Sequence, residues 1–393
     1  MHGNVRFRQG DPLSHVARSQ GLRGARPAAS IERLTQHIAG VNGGVSDKIP
    51  KEAPPKGVLA HRRALALSVE LRVISAGPLV VLFALWMVFG LLSPYFLTRE
   101  NLTNILIQSC IVGLLALASF LVIMVGSLDI SLGATVSLST LIGAVLIRDM
   151  GAVGWLIIPI MIGVGMAVGL INSLVIIVCR INNAFIVTLG MLYVVQSAGY
   201  VVSSGSQQPF PSHELSLIAN GTLLGVPGPI ILLFFAGLAL SFFIKSVVLG
   251  RWIVAIGGNR DAALKVGIPV RKVMFSIYII AGAIAGLTGA LVAGLNSAGT
   301  PDAGGTTILF AIAAVVIGGA NLAGGRGSVW STLVGVVILA TISNGLALLS
   351  VPPTWTPLAI GGVLVAAVGL DTLRQTVEGR LRVRQAQVQG AVL

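Results

Sequence analysis

Three features of the sequence predict an all-α polytopic membrane protein of about ten transmembrane helices. The chain of 393 residues is 55% hydrophobic and only 10% charged, against roughly 25% charged residues in soluble domains. Its mean hydropathy is +0.92, more apolar side chain than a water-soluble core of this length hides. Its apolar residues also gather into runs of the length a helix needs to cross a bilayer, about 20 residues.

Residues 1–72 precede the first run. They lack a continuous apolar stretch and do not read as a signal peptide. They are rich in Gly, Pro, Ser and Arg, as in EAPPKGVLAHRR, a composition that predicts a disordered basic cytoplasmic tail. Residues 73–372 form the predicted membrane domain. Its spans are expected at about 76–92, 102–125, 131–147, 152–178, 183–203, 228–245, 273–295, 307–320, 329–350 and 355–371. The third, eighth and tenth are short. The fourth is long and contains Pro159 and several glycines, which predicts a bend or a tilt. Residues 373–393 form a second basic tail.

Orientation follows from the basic residues, which concentrate on the cytoplasmic side. Twelve of the 26 Lys and Arg residues precede residue 73 and four follow residue 372. With the N-terminus inside, the loops carrying Arg180, Lys245, Arg251, Arg260, Lys265, Arg271, Lys272 and Arg326 fall inside too. Only Arg99 and Arg148 fall outside. Both ends are therefore expected in the cytoplasm, with the basic tails beside anionic lipid rather than nucleic acid. Five spans per half makes the halves antiparallel, the arithmetic of an inverted 5+5 repeat.

The seventh run contains AGAIAGLTGALVAG. Gly282, Gly286, Ala290 and Gly294 recur every four residues, beside a second stripe of Ala281, Ala285, Gly289 and Ala293. Small residues let helices approach closely in lipid, so this stripe predicts tight packing, with a pore-lining surface as the alternative.

No enzyme's tools are present. The sequence has no HExxH, GxSxG or GxxxxGK[ST] motif. Cys110 and Cys179 both lie inside apolar runs and imply neither a disulfide nor a metal site. His213, in SQQPFPSHELSLIANG, is the single histidine beyond residue 61 and reads as a solvated loop residue. No catalytic residues, metal ligands or cofactor of its own are expected. Asp129, in VIMVGSLDISLGAT, is the one acidic residue between two apolar runs with no real loop around it. It reads either as a helix cap for the third span or as part of a translocation path or gate. Gln108, Gln196, Asn296 and Asn344 are further candidates to hydrogen-bond a hydroxylated solute; each would equally satisfy a neighbouring helix.

One segment between apolar runs stands apart: GRWIVAIGGNRDAALKVGIPVRK, residues 250–272. It holds Arg251, Arg260, Asp261, Lys265, Arg271 and Lys272. Gly257-Gly258-Asn259 is a turn and helix-start signal. Asp261 falls in the first turn, where negative charge is favourable, and Gly267 is placed to end the helix. Ala262 and Ala263 are small enough for a tight groove. The segment is either a solvated loop or a short docking helix.

GSLDISLGATVSLST resembles the GGIDLS-VG signature of the ribose-type ABC importer permeases. AIGGNRDAALKVGIPVRKV resembles the GGN-x-x-AA-x-x-x-GI loop of that family, and AIAAVVIGGANLAGGRGSVWSTLVGVVILATISNGLALL its AIAAVV-GG-x-x-L-GG-x-G run. AFIVTLGML is similar to its PPFIVTLGM element. The resemblance covers residues 75–372 and implies a vitamin B12-type (type II importer) permease fold in the bacterial inner membrane. It implies a partner cytoplasmic ATPase that binds the ATP, a second permease subunit, which a homodimer would supply, and a periplasmic sugar-binding protein. Residues 250–272 then become the coupling loop to the ATPase, with Gly257, Gly258, Asn259, Asp261, Ala262, Ala263 and Gly267 as its elements. The sequence departs from the family where Ser127 replaces the second glycine, where Asn182-Asn183-Ala184-Phe185 stands for PPF, and where Ile308-Leu309-Phe310 replaces an acidic segment. The expected function is a sugar or polyol importer permease. The competing reading, a secondary carrier or channel, calls for several intramembrane charges and no docking loop.

Overall fold

A computed structural model describes residues 77–151, 154–181, 183–366 and 369, all within one compact unit, Arg63–Leu393. The predicted tails, residues 1–72 and 373–393, lie outside the described residues. The described chain is almost wholly helical: α1 (Gly77–Leu92), α2 (Arg99–Met124), α3 (Ser131–Met150), α4 (Ile157–Val178), α5 (Ala184–Ser203), α6 (His213–Asn220), α7 (Gly228–Ser246), α8 (Val248–Gly258), α9 (Arg260–Lys265), α10 (Val270–Asn296), α11 (Thr307–Ile317), α12 (Val329–Leu348) and α13, residues 356–366. Among the described residues, seven helical segments are long and apolar enough to cross a membrane: Arg99–Met124, Ser131–Asp149, Gly154–Val178, Ala184–Ser203, Gly228–Ser246, Val270–Asn296 and Val329–Leu348. The chain is an all-α polytopic membrane protein.

Every predicted apolar run carries a helix, with differences in length. The third is not short: α3 has 20 residues. The eighth ends early, because α11 stops at Ile317 and Gly319 turns the chain with φ 83°. Two helices lie where loops were expected. One is α8, which buries Gly250, Ile253 and Ile256 and leaves Arg251 and Val254 exposed. The other is α6, whose N-cap Ser212 accepts from Leu215 N and which begins at the exposed His213.

The core is built around α10, which packs on α4, α3, α2 and α6. The predicted small-residue stripes do this packing. A Cβ added at Gly282 would collide with the Gly165 carbonyl of α4, and one at Gly286 with the Met161 carbonyl. Further along the first stripe Gly294 faces Leu215 and Ala219 of α6, and on the neighbouring stripe Gly289 faces Ser139 and Val136 of α3. In lipid such backbone contact replaces the hydrophobic drive that a soluble core enjoys. A two-residue antiparallel pairing, β1 (Gln208–Pro209) with β4 (Ala298–Gly299), ties the segment after α5 to the segment after α10. A β2–β3 hairpin (Thr222–Leu223 and Val226–Pro227) leads into α7.

Candidate functional site

Three separated segments meet at one end of the bundle: the end of α2 (Met124–Gly126), the end of α8 (Gly257–Gly258) and the loop Ala323–Gly325 after α11. Gly325 N donates to the Met124 carbonyl at 3.0 Å. A Cβ at Gly257 would strike that same carbonyl and the backbone of Gly325, so the approach requires glycine. Gly126 adopts φ 72°, a left-handed conformation that glycine takes without strain, and its neighbour across the junction is Ala323 O. The motifs GSLDIS, AIGGN and NLAGGRG, far apart in sequence, are thus one structural junction.

The GSLDIS segment, where the chain passes from α2 to α3, is pinned from three sides. Ser127 Oγ and Tyr278 Oη of α10 share a hydrogen bond of 2.8 Å. Thr188 Oγ1 of α5 donates to Leu128 O at 3.2 Å. Asp129 Oδ1 accepts from Ser131 N at 2.9 Å and from Ser131 Oγ at 2.6 Å. Asn172 Nδ2 of α4 donates to Asp129 Oδ2 at 3.2 Å and to Ser131 Oγ at 2.8 Å. Burial pushes the Asp129 carboxyl up to about 6, and these hydrogen bonds only partly oppose it. Ile130 holds the N-cap position of α3 and makes no side-chain cap bond; Asp129, one residue earlier, accepts from the first N–H of the helix, that of Ser131, and through Asn172 joins α3 to α4. Ser127, a departure from the GGIDLS pattern, supplies a hydroxyl for Tyr278 that glycine has none of.

The GGN loop stands on this junction. Asn259 caps α9 by accepting from Ala262 N at 2.9 Å, and Asp261 lies in the first turn. Gly267 closes the helix with φ 83°, its N–H donating to Leu264 O and that of Ile268 to Ala263 O, as a left-handed C-terminal residue does. Ala263 is 3% exposed and packs into the chain's own core. The expectation that Ala263 reaches into a groove of another protein is corrected: it is the foot of α9. The faces turned outward belong to Asp261, Ala262 and Lys265, with Leu264 53% and Val266 76% exposed. Sequence reasoning missed these two apolar residues. The signal that would have found them is two large aliphatics beside charge at the C-terminal end of a six-residue helix, Leu264 inside it and Val266 at its C-cap.

The predicted path residues do not come together. Asp129 lies at the junction end. Asn344 is buried in α12, where its Nδ2 donates to Asn101 Oδ1 of α2 at 2.9 Å, so this pair joins two helices. Gln108 is exposed on α2, and Asn296 is exposed at the end of α10. Gln196 Nε2 and Tyr200 Oη both donate to Asp302 Oδ1, at 3.1 and 2.9 Å. In place of the acidic segment, Ile308 is buried and Leu309 exposed in the first turn of α11. Among the described residues no group of three or more His, Cys, Asp or Glu side chains is placed to hold a metal.

A family described as branched-chain amino acid transport system / permease component matches residues 101–368. The chain is similar to the D-allose transport system permease protein AlsC of Escherichia coli (strain K12), 35% identical over 76% of this chain and 91% of the relative. It is similar to the ribose import permease protein RbsC of Bacillus subtilis (strain 168), 36% identical over 75% of this chain and 92% of the relative. The L-arabinose ABC transporter permease protein AraH of Azospirillum brasilense is 31% identical over 76% of this chain and 88% of its own length. No solved structure matches.

Proposed function

The chain belongs to the branched-chain amino acid transport system / permease component family, and from that membership we propose that it is the transmembrane subunit of an ATP-driven importer for a sugar or related polyol. The observation that carries the reading is the set of relatives aligned over three-quarters of the chain, permeases for allose, ribose and arabinose. The chain does no covalent chemistry in this scheme; a partner cytoplasmic ATPase binds and hydrolyses ATP. A periplasmic binding protein delivers the solute to two permease subunits, here two copies of this chain, in a bacterial inner membrane. The proposed arrangement has ten spans, both tails in the cytoplasm, and two halves of five spans in the vitamin B12-type fold.

The loop of Gly257, Gly258, Asn259, Asp261, Ala262, Ala263 and Gly267 is the proposed coupling element. ATP-dependent change reaches the bundle only through contacts that differ between two states. In this chain α9 offers such a contact outward, through Leu264 and Val266, and stands inward on the backbone junction of α2, α8 and the 323–325 loop. Movement of α9 is therefore passed to the α2–α3 turn, where Asp129 and Ser127 hold α4 and α10. Asp129 acts here as a gate pin rather than as a solute ligand. The test is reconstitution of the chain with an ATPase and a sugar-binding protein encoded beside it. Uptake of labelled sugar and ATP hydrolysis that rises with loaded binding protein are expected. Uptake that persists without the ATPase would overturn the reading in favour of a secondary carrier.

A further inference from the structure

At the basic end of the bundle a cleft of about 330 Å3 is lined by three guanidinium-bearing residues: Arg180 after α4, Arg260 at the start of α9 and Arg271 at the start of α10. Among the described residues the single ion pair is Arg148–Asp149, at the other end of α3. No described carboxylate neutralises the three arginines. Like charges gathered in one cleft repel, and a bound anion relieves that repulsion. The N-terminus of α5, a 20-residue helix, opens on the same space through Asn183, Ala184 and Phe185, adding the positive end of its dipole. The remaining lining is mixed: Ser127 and Asn183 are polar, and Ile176, Ile177, Met274 and Leu322 are apolar. Within a turn of these lining positions, α4 and α5 leave Leu174, Val178, Ile186 and Leu189 exposed.

We propose that this cleft binds the phosphate headgroup of an anionic phospholipid, with the acyl chains along the exposed faces of α4 and α5. Arginine forks match phosphate oxygens in pairs, and basic pockets between the ends of membrane helices suit such headgroups. The exposed aliphatic residues of α4 and α5 beside the cleft favour a lipid over a soluble anion or an acidic protein side chain. Bound there, the lipid bridges Arg260 of α9 to Arg180 and Arg271 of the bundle, so it steadies the seat of the coupling helix.

The test is native mass spectrometry of the full chain in detergent, titrated with phosphatidylglycerol, phosphatidylcholine or inorganic phosphate. Phosphatidylglycerol is expected to bind more tightly than phosphatidylcholine. Replacing Arg180→Gln with Arg271→Gln is expected to weaken it about fivefold per arginine, the equivalent of about 1 kcal/mol per charge. Arg260→Gln, on the exposed face of a short helix, covers the case in which the double variant does not fold; it too is expected to lose about fivefold. Unchanged phosphatidylglycerol binding in the folded variants overturns the proposal. So does inorganic phosphate that competes as well as the lipid, which makes the site one for a free anion. Loss of ATPase copurification with lipid binding intact overturns it as well, assigning the arginines to the protein partner.

Discussion

At the scale of single residues, the junction is held by backbone contact, and its glycines are the sharpest test of it. Gly257→Ala places a methyl against the Met124 carbonyl and the Gly325 backbone. Neither neighbour is a flexible side chain, so the cost should reach the upper end of overpacking penalties, about 3 kcal/mol. The expected outcome is a lowered thermal midpoint in detergent, while Gly258→Ala, with open space at its Cβ, leaves the midpoint nearly unchanged. Asp129 supplies a second test. Its carboxyl is raised by burial to about 6 in the fold, above the unfolded value of about 3.9. Between these values the folded state holds the proton and the unfolded state does not, so stability falls as pH rises from about 4 to about 6. The difference amounts to on the order of 3 kcal/mol. Asp129→Asn should flatten the dependence of the thermal midpoint on pH across that window, and a slope equal to that of the wild type would show the carboxyl to be ionised throughout.

At the scale of elements, α9 separates two kinds of contact. Ala263 faces inward, so Ala263→Trp should damage the permease itself and tells nothing specific about a partner. Leu264→Glu and Val266→Asp act on the outer face. Burying an aliphatic side chain in an interface is worth about 1.5–3 kcal/mol, so each change should weaken copurification with the ATPase by about tenfold or more. The permease should still insert and keep its thermal midpoint. Lys265→Glu should be mild, since exposed charges contribute about 0–1 kcal/mol. The cap of α9 was legible in the sequence because Asn259, Asp261 and Gly267 act locally, within the helix they border. The small-residue stripes of α10 were legible for the same reason, as a period along one element. The direction Ala263 faces was not, since the groove it fills is made by other elements. Nor was the fate of Asn344, whose partner Asn101 is more than 240 residues away in sequence. The helix α8 was hidden by Arg251 and its glycines, which read as a loop until the burial of Ile253 and Ile256 marks one apolar face.

At the scale of the whole molecule, the distribution of charge fixes the expected orientation. The cleft gathers Arg180, Arg260 and Arg271 at the end where α2 finishes and α10 begins. The opposite end carries the β1–β4 pairing, with Arg148 Nη1 donating to Gln208 Oε1 at 3.1 Å. Basic loops stay on the cytoplasmic side of the membrane, so the α9 end should face the cytoplasm and Ser206, beside β1, the periplasm. Cysteine labelling distinguishes the two ends because the native thiols are easily removed: Cys110 is buried and Cys179 is exposed, at the basic end. In a chain carrying Cys110→Ala and Cys179→Ser, an impermeant maleimide added to intact cells should label Ser206→Cys and leave Lys265→Cys untouched until the membrane is opened. Both positions are exposed in the fold, so a failure to react reports the membrane barrier rather than burial. Labelling of Lys265→Cys from outside would invert the map. It would place α9 where no ATPase can reach it, and the coupling assignment would fall with the orientation.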